Sequence, residues 1–433
     1  MNPVFQAALK AYNDSSRLRA TRRRLKNFTY GRQWDDIVVA ADGTPETIGE
    51  RFRRSGREPL TNNLLRSLVK SVVGRFRYNL SQATATTDER LRQLHDANHL
   101  DELDSRAMEE FLISGCVVQR VSYEHRFEGV GVWVDNVSPA AFFCNRFLDP
   151  RGNDLRLVGM LHSFSASELK LRFGHGDPGR CRQLDEIYAS LRIPYPGVSL
   201  ADMADSGPVG GFADASSAQG GVCRVIEVWT FEVDALADGS ARPHWHCRYF
   251  APDGTLIEET RSPYRHVSHP FVVKFYPLTD GEVHSFIEDV VDQQLYINRL
   301  ITVIDAILAH SAKGVLLYPL DALPDGMELK DASRIWANPG GVLPVNPNVT
   351  QLPREVTTSG SSEGAAGLLE IQLRMLQQVS GVTSSLQGQA DSRNQSASLY
   401  DSQVYNSAIA LLDIFETFNA FRTARDVKAL AVY

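Results

Sequence analysis

Residues 281–313 read GEVHSFIEDVVDQQLYINRLITVIDAILAHSAK. Val283, Phe286, Ile287, Val290, Val291, Leu295, Ile297, Leu300, Ile301, Ile304, Ile307 and Leu308 recur there at threes and fours, the spacing that gathers apolar side chains on one wide helix face. After Gly281 no Gly or Pro interrupts the run. It therefore predicts a helix of about nine turns, roughly 45–50 Å at 1.5 Å per residue. The segment is too polar to span a membrane, and a lone helix cannot keep so broad an apolar face in water. A second long helix is required, and residues 364–379, GAAGLLEIQLRMLQQV, offer one with Leu368, Leu369, Ile371, Leu373, Met375, Leu376 and Val379.

Between these helices, residues 313–348 are rich in Pro and Gly and read as a compact unit of strand, turn and short helix. Beyond the second helix, residues 380–399, SGVTSSLQGQADSRNQSASL, are small and polar and almost free of large hydrophobes. A further helix is expected over Ser398–Tyr433, carrying Leu399, Val404, Ile409, Leu412, Ile414, Phe415, Phe418, Phe421 and Leu430. The order is helix, small cap, helix, polar loop, helix.

Upstream lies a larger α+β body. Residues 3–30 predict a helix with Ala7, Ala8, Leu9, Tyr12, Leu18, Leu25 and Phe28 inward and arginines ringing its solvent faces. Residues 62–78, NNLLRSLVKSVVGRFRY, predict another, capped by Thr61 or Asn62, and a third covers Asp101–Leu112. From Cys116 the period shifts toward two: VVQRVSYEHR, GVGVWVDNVS, LRLVGMLHSFS, CRVIEVWTFEVD and HWHCRYFA are β-branched and aromatic runs broken by turn residues. Residues 205–221, DSGPVGGFADASSAQGG, have almost nothing to bury and read as a mobile surface insertion.

The chain has 433 residues, 43% of them apolar and 22% charged, which is globular usage spread over roughly two to four packed units. The start carries neither the pattern of a signal peptide nor an anchor. Cys116, Cys144, Cys181, Cys223 and Cys247 lack CxxC spacing and are read as reduced thiols in a cytosolic setting. A net charge of −7 conceals an asymmetry. Through Leu80, sixteen Lys and Arg face seven Asp and Glu, a balance of +9 that leaves −16 for the remainder. A basic head suits contact with nucleic acid or an acidic partner, and solvated helix faces explain it equally well. Arg19, Arg22, Arg23 and Arg24 are the candidate contact patch.

Catalytic signatures are scarce. GxxxxGK[ST] and HExxH are missing, so an intrinsic NTP motor is not expected. His244, His246 and Cys247 in PHWHC have metal-ligating chemistry but no second ligand pair, and are read as strand residues without a metal. Asp149 and Asp154 in FLDPRGNDLR invite a carboxylate-pair reading, yet the Pro, Gly and Asn around them spell a turn whose Asp side chains bond their own backbone. Trp336, ahead of ANPGG, is expected in a satellite core. No cofactor is expected.

GVWVDNVSP, FLDPRGNDLRLVG, YPLTDGEVHSFIEDVVDQQLYINRLIT, SAKGVLL and MLQQVSGVTSSLQGQ, in this order, resemble the portal proteins of tailed bacteriophages. The likeness runs from Tyr30–Trp34, YGRQW, to the last helix. It implies a dodecameric, non-enzymatic ring through which double-stranded DNA is packaged and ejected, built as an α+β fold of wing, stem, clip, tunnel loop and crown. Residues 1–280 would be the wing, 281–311 and 364–379 the stem helices, 312–363 the clip, 380–396 the tunnel loop, and 397–433 a helix toward a crown that is minimal or cut short. Phe286, Val290, Ile297, Ile301, Ile304 and Leu308 would face neighbouring subunits in the stem. Lys313, Tyr318 and Trp336 would belong to the clip, and Gln387, Gln389, Asp391, Arg393, Asn394 and Gln395 would line the channel. The implied partners are identical subunits, DNA, the terminase large subunit, a head–tail adaptor, and the major capsid and scaffolding proteins, with no membrane. The implied location is the capsid vertex of the virion, reached from the host cytoplasm.

A soft polar loop suits a passing polyanion, because every phosphate paired with Lys or Arg releases counterions and adds affinity that would stall movement. Two other classes of function remain open from residues alone. One is a metal-dependent nuclease or hydrolase using Asp149, Asp154 and the His244, His246 and Cys247 segment. The other is a monomeric adaptor whose helices pair with a partner protein.

Overall fold

A computed structural model describes residues 2–40, 42–82, 88–126, 129–190, 222–235, 241–311, 315–324, 326–337, 342–346, 351–356, 362–383 and 409–432. In chain order these form α1 (Pro3–Asp14), α2 (Ser16–Thr29), β1 (Ile37–Val39), β2 (Pro45–Thr47), α3 (Ile48–Arg54), α4 (Leu64–Gln82), α5 (Glu89–Ala97) and α6 (Leu100–Ser114). Then come β3 (Cys116–Arg126), β4 (Gly129–Asn136), β5 (Phe142–Cys144), β6 (Leu157–Ser165), α7 (Ala166–Phe173), α8 (Pro178–Ser190), β7 (Val222–Ala235), β8 (Ala241–Phe250) and β9 (Leu256–Arg261). β10 (Phe271–Phe275), β11 (Pro277–Thr279), β12 (Glu282–Val283), α9 (Val291–Ser311), β13 (Val315–Leu317), α10 (Leu329–Ala337), β14 (Arg354–Val356), α11 (Ser362–Ser380) and α12 (Leu412–Val432) complete it. The class is α+β, as the patterning predicts. The chain divides into two compact units, residues 1–33, 63–292 and 377–433 in one and 34–62 with 293–376 in the other.

In the first unit an antiparallel sheet of order β5-β6-β7-β8-β9 carries apolar side chains on both faces. One face packs Val158, Trp229, Trp245 and Cys247 against Cys116, Val118 and Phe271 of the three-stranded sheet β10-β3-β4. On the other face Ile226, Val228 and Phe250 meet Phe5, Ala8 and Tyr12 of α1, while on the first face α7 and α8 pack Leu169, Phe173 and Leu184 against Cys223 and Val225. Burial of this kind is worth about 1.5–3 kcal/mol for each large side chain, which explains why both strand periods read so clearly. Local signals set the ends. Asn2 caps α1 through Val4 N, Ser165 and Glu168 form a capping box on α7, and α6 stops at Gly115, whose φ of 66° suits a residue without Cβ.

In the second unit β1 and β2 form a hairpin, and Thr47 with Glu50 makes a capping box that starts α3. Residues 60–62 are tied to α9: Leu60 N donates to Thr302 Oγ1, Asn62 N donates to Asn298 Oδ1, and Gln294 Nε2 donates to Asn62 O. β13 and β14 pair antiparallel, with α10 between them in sequence.

Four expectations change in detail. The helix expected from Gly281 begins at Val291, because residues 277–283 form the β11–β12 hairpin and residues 284–290 turn inward, burying Phe286, Ile287 and Val290. Their spacing imitates a helix while satisfying a compact turn. The N-terminal helix is two helices separated at Ser15, whose backbone N–H is bonded to the carbonyls of Ala11 and Tyr12. The cap of α4 is Asn63, whose Oδ1 accepts Arg66 N, since Thr61 accepts Trp34 Nε1 and Asn62 is engaged with α9. Arg19 and Arg22 do not ring a solvent face, for both are buried. The expected insertion at 205–221 lies outside the described residues.

Candidate functional site

Among the described residues, open apolar side chains line α11 and reach the far end of α9. On α9 the exposure grades along the helix: Ile297 is fully buried, Ile301 and Ile304 are partly open, and Leu308 is 55% exposed. On α11, Leu368, Ile371, Met375 and Val379 stand 44%, 51%, 46% and 48% exposed at spacings of three, four and four, which draws one line down the helix. Large apolar side chains aligned this way in water mark an interaction surface. Of the expected stem residues, Phe286 and Val290 instead belong to the buried turn before α9.

The small unit between α9 and α11 is held by backbone contacts. Tyr318 donates from its hydroxyl to Pro344 O at 2.6 Å and lies 3.2 Å from Ala322 O, and Asn346 N donates to Ala322 O. Trp336 sits half-buried on α10. Lys313 and the six expected channel residues, Gln387, Gln389, Asp391, Arg393, Asn394 and Gln395, lie outside the described residues.

Two arginines of the basic head are paired with acids of α6. Arg22 donates to both carboxylate oxygens of Glu110, from Nε at 2.6 Å and from Nη2 at 2.8 Å. Arg66 and the Tyr30 hydroxyl both donate to Glu109. Arg19 lies 3.6 Å over the ring of Tyr12 and donates to its carbonyl. Only Arg23 and Arg24 of the expected patch are exposed, so the four do not form one cationic surface.

Asp149 and Asp154 form a closed turn, as their neighbours predict. Asp154 Oδ2 accepts the N–H groups of Leu148 and Asp149, while Asp149 accepts from Arg151 and Asn153. The Arg151 side chain and backbone hold Asp149 down at about 2. Every oxygen is occupied by its own loop, which leaves the nuclease alternative without support.

The PHWHC segment divides by strand parity. Cys247 faces the main core and is 1% exposed, whereas His244 and His246 face the opposite side. There β7 supplies Glu232, directly across from His244 in the register, and potential ligand atoms of Glu232, His244 and His246 all lie within 4.8 Å of one another. Burial alone would raise Glu232, but hydrogen bonds from Arg248 and Thr230 hold it down at about 2. The His pair was visible in the sequence; the carboxylate was not, because only the β7–β8 register brings it there. Among the described residues no helix is long and apolar enough to cross a membrane.

A family model described as phage P22-like portal protein matches residues 5–428. No curated protein matches the chain.

Proposed function

The chain belongs to the phage P22-like portal protein family, and from that footing we propose how its parts build the channel. Its function is that of a portal: an oligomeric ring at the capsid vertex of a phage particle, through which DNA is packaged. Portals are structural proteins.

Our reading assigns residues 1–280 to the wing, with the turn at 284–290 joined to it, and α9 and α11 to the stem. Residues 312–363 form the clip, 380–396 the tunnel loop, and α12 runs toward the crown. Twelve subunits form the ring. The terminase large subunit docks at the clip and supplies ATP hydrolysis, a head–tail adaptor follows it there, and the major capsid and scaffolding proteins surround the wing during assembly in the host cytoplasm.

The observation that carries this reading is the open apolar line Leu368, Ile371, Met375 and Val379 on α11, together with Leu308 at the far end of α9. A single subunit leaves these side chains in water, whereas a closed ring of identical subunits buries the same patch in every copy. The glutamine- and asparagine-rich segment 387–395, in which Asp391 offsets Arg393, suits a surface that DNA must slide past. Mass measurement with electron microscopy of the purified protein tests it. An annulus with a central hole is expected, and a stable monomer near 48.1 kDa under all conditions would overturn the assignment.

A further inference from the structure

We propose that Glu232, His244 and His246 form a binding site for a divalent transition-metal ion of the zinc class, linking β7 to β8. Two imidazoles and one carboxylate form the donor set that such ions select over magnesium or calcium. His244 and His246 are two residues apart on one strand and therefore share a face, and Glu232 is the direct cross-strand neighbour of His244.

The distances suit a small tetrahedral ion. Metal–ligand bonds of about 2.0–2.2 Å place neighbouring ligand atoms of a tetrahedron about 3.3–3.5 Å apart. His246 Nδ1 already lies 3.3 Å from Glu232 Oε2. The potential ligand atoms of all three residues fit within 4.8 Å, a spread that small side-chain rotations close.

A second observation points the same way. His244 is only 8% exposed, and its Nδ1 is buried with no hydrogen-bond partner. A buried polar nitrogen without a partner costs about 1–3 kcal/mol. Asp234 Oδ2 stands 3.6 Å from that nitrogen and Glu259 Oε1 stands 3.5 Å from His246 Nδ1, so further carboxylates surround the pair.

The guanidinium of Arg248 fills the place of the cation. It donates from Nη1 to Glu232 Oε1 at 2.6 Å and from Nε to Glu259 Oε1 at 2.8 Å, and its Nη2 lies 3.0 Å from His246 Nδ1. A cluster this rich in acid requires a positive charge at its centre. The ion replaces Arg248, and the Glu232 side chain, 35% exposed, leaves it a way in.

The test uses the full-length, chelator-treated protein titrated with zinc chloride by calorimetry, and with cobalt(II) chloride by visible absorption. One equivalent per chain is expected, with tetrahedral cobalt bands that zinc abolishes. Substituting His244→Gln together with His246→Gln should weaken zinc at least tenfold. Arg248→Gln should strengthen it, because the competing cation is gone. Unchanged zinc affinity in the double variant, or a wild-type chain that gives no cobalt bands and takes up no zinc at micromolar concentration, would overturn the site. If the double variant fails to fold, the wild-type cobalt spectrum and the Arg248→Gln affinity decide the question alone.

Discussion

Arg425 of α12 donates from Nη1 to Oδ1 of Asp104 on α6, with both side chains at most 1% exposed. The same carboxylate accepts Arg422 Nε at 2.8 Å, so one buried acid holds two guanidinium groups of the C-terminal helix. Asp104→Ala would leave the buried Arg425 with Asp426, which already accepts from its Nε at 2.9 Å, as its remaining acid partner. Removing one partner of a buried pair costs about 3–5 kcal/mol, so the denaturant midpoint of this variant should fall accordingly. A loss below about 1 kcal/mol would show that Asp426 and water suffice for Arg425 without Asp104.

Lys428, also on α12, donates at 2.8 Å to the carbonyls of both His269 and Phe271, and burial drives its ammonium down to about 7. His266, lowered to about 4 chiefly by burial, and His269, lowered well below its usual range, are the titratable groups whose charge Lys428 opposes. Between pH 7 and about 10.5 the unfolded chain holds the Lys428 proton and the folded chain does not, so this lysine's contribution to stability rises with pH across that window. The gain is on the order of a few kcal/mol. His266 acts in the same sense lower down: its contribution is lost as pH falls from about 6.5 to 4. Denaturation midpoints measured at pH 7 and pH 10 should differ in the wild type. Lys428→Met should remove most of that difference, and an unchanged pH slope would refute the linkage.

What could be read in the sequence followed what one strand or one helix carries by itself. β-branched and aromatic runs located β3, β4, β6, β7 and β8, and parity settles which residue goes to which face. Composition alone distinguished the compact unit between α9 and α11. The start of α9 was misread because Phe286, Ile287 and Val290 keep helical spacing while turning into the core. Partners distant in sequence were beyond reach: nothing near Arg22 announces Glu110, nothing near Arg425 announces Asp104, and nothing near His244 announces Glu232. Those contacts depend on register and packing, which local patterning does not encode.

The grading of α9 separates folding from assembly. Ile297 is fully buried within the chain, so Ile297→Asp should unfold it or cost several kcal/mol, through an unpaired buried charge. Ile301 and Ile304 are partly open. Replacing both by Asp should leave a folded subunit, read by circular dichroism, that no longer forms rings in size-exclusion chromatography or native mass spectrometry. Ring formation by that double variant would contradict the assignment of α9 to the stem. Ile371→Asp with Met375→Asp on α11 should behave in the same way.

Deleting residues 387–395 probes the channel reading without touching the helices that flank it. The segment contains Gln387, Gln389, Asp391, Arg393, Asn394 and Gln395 and no aliphatic residue larger than alanine, so its loss removes little that a core would miss. Ring mass and thermal midpoint should therefore stay at wild-type values. If the segment lines the channel as proposed, packaging should fail or slow sharply, and heads assembled with the variant should protect less DNA from nuclease. Full-length protected DNA in those heads would mean that the polar segment does not line the path. A collapse of the ring itself would mean that it is a structural joint between subunits, with the channel surface supplied by other residues.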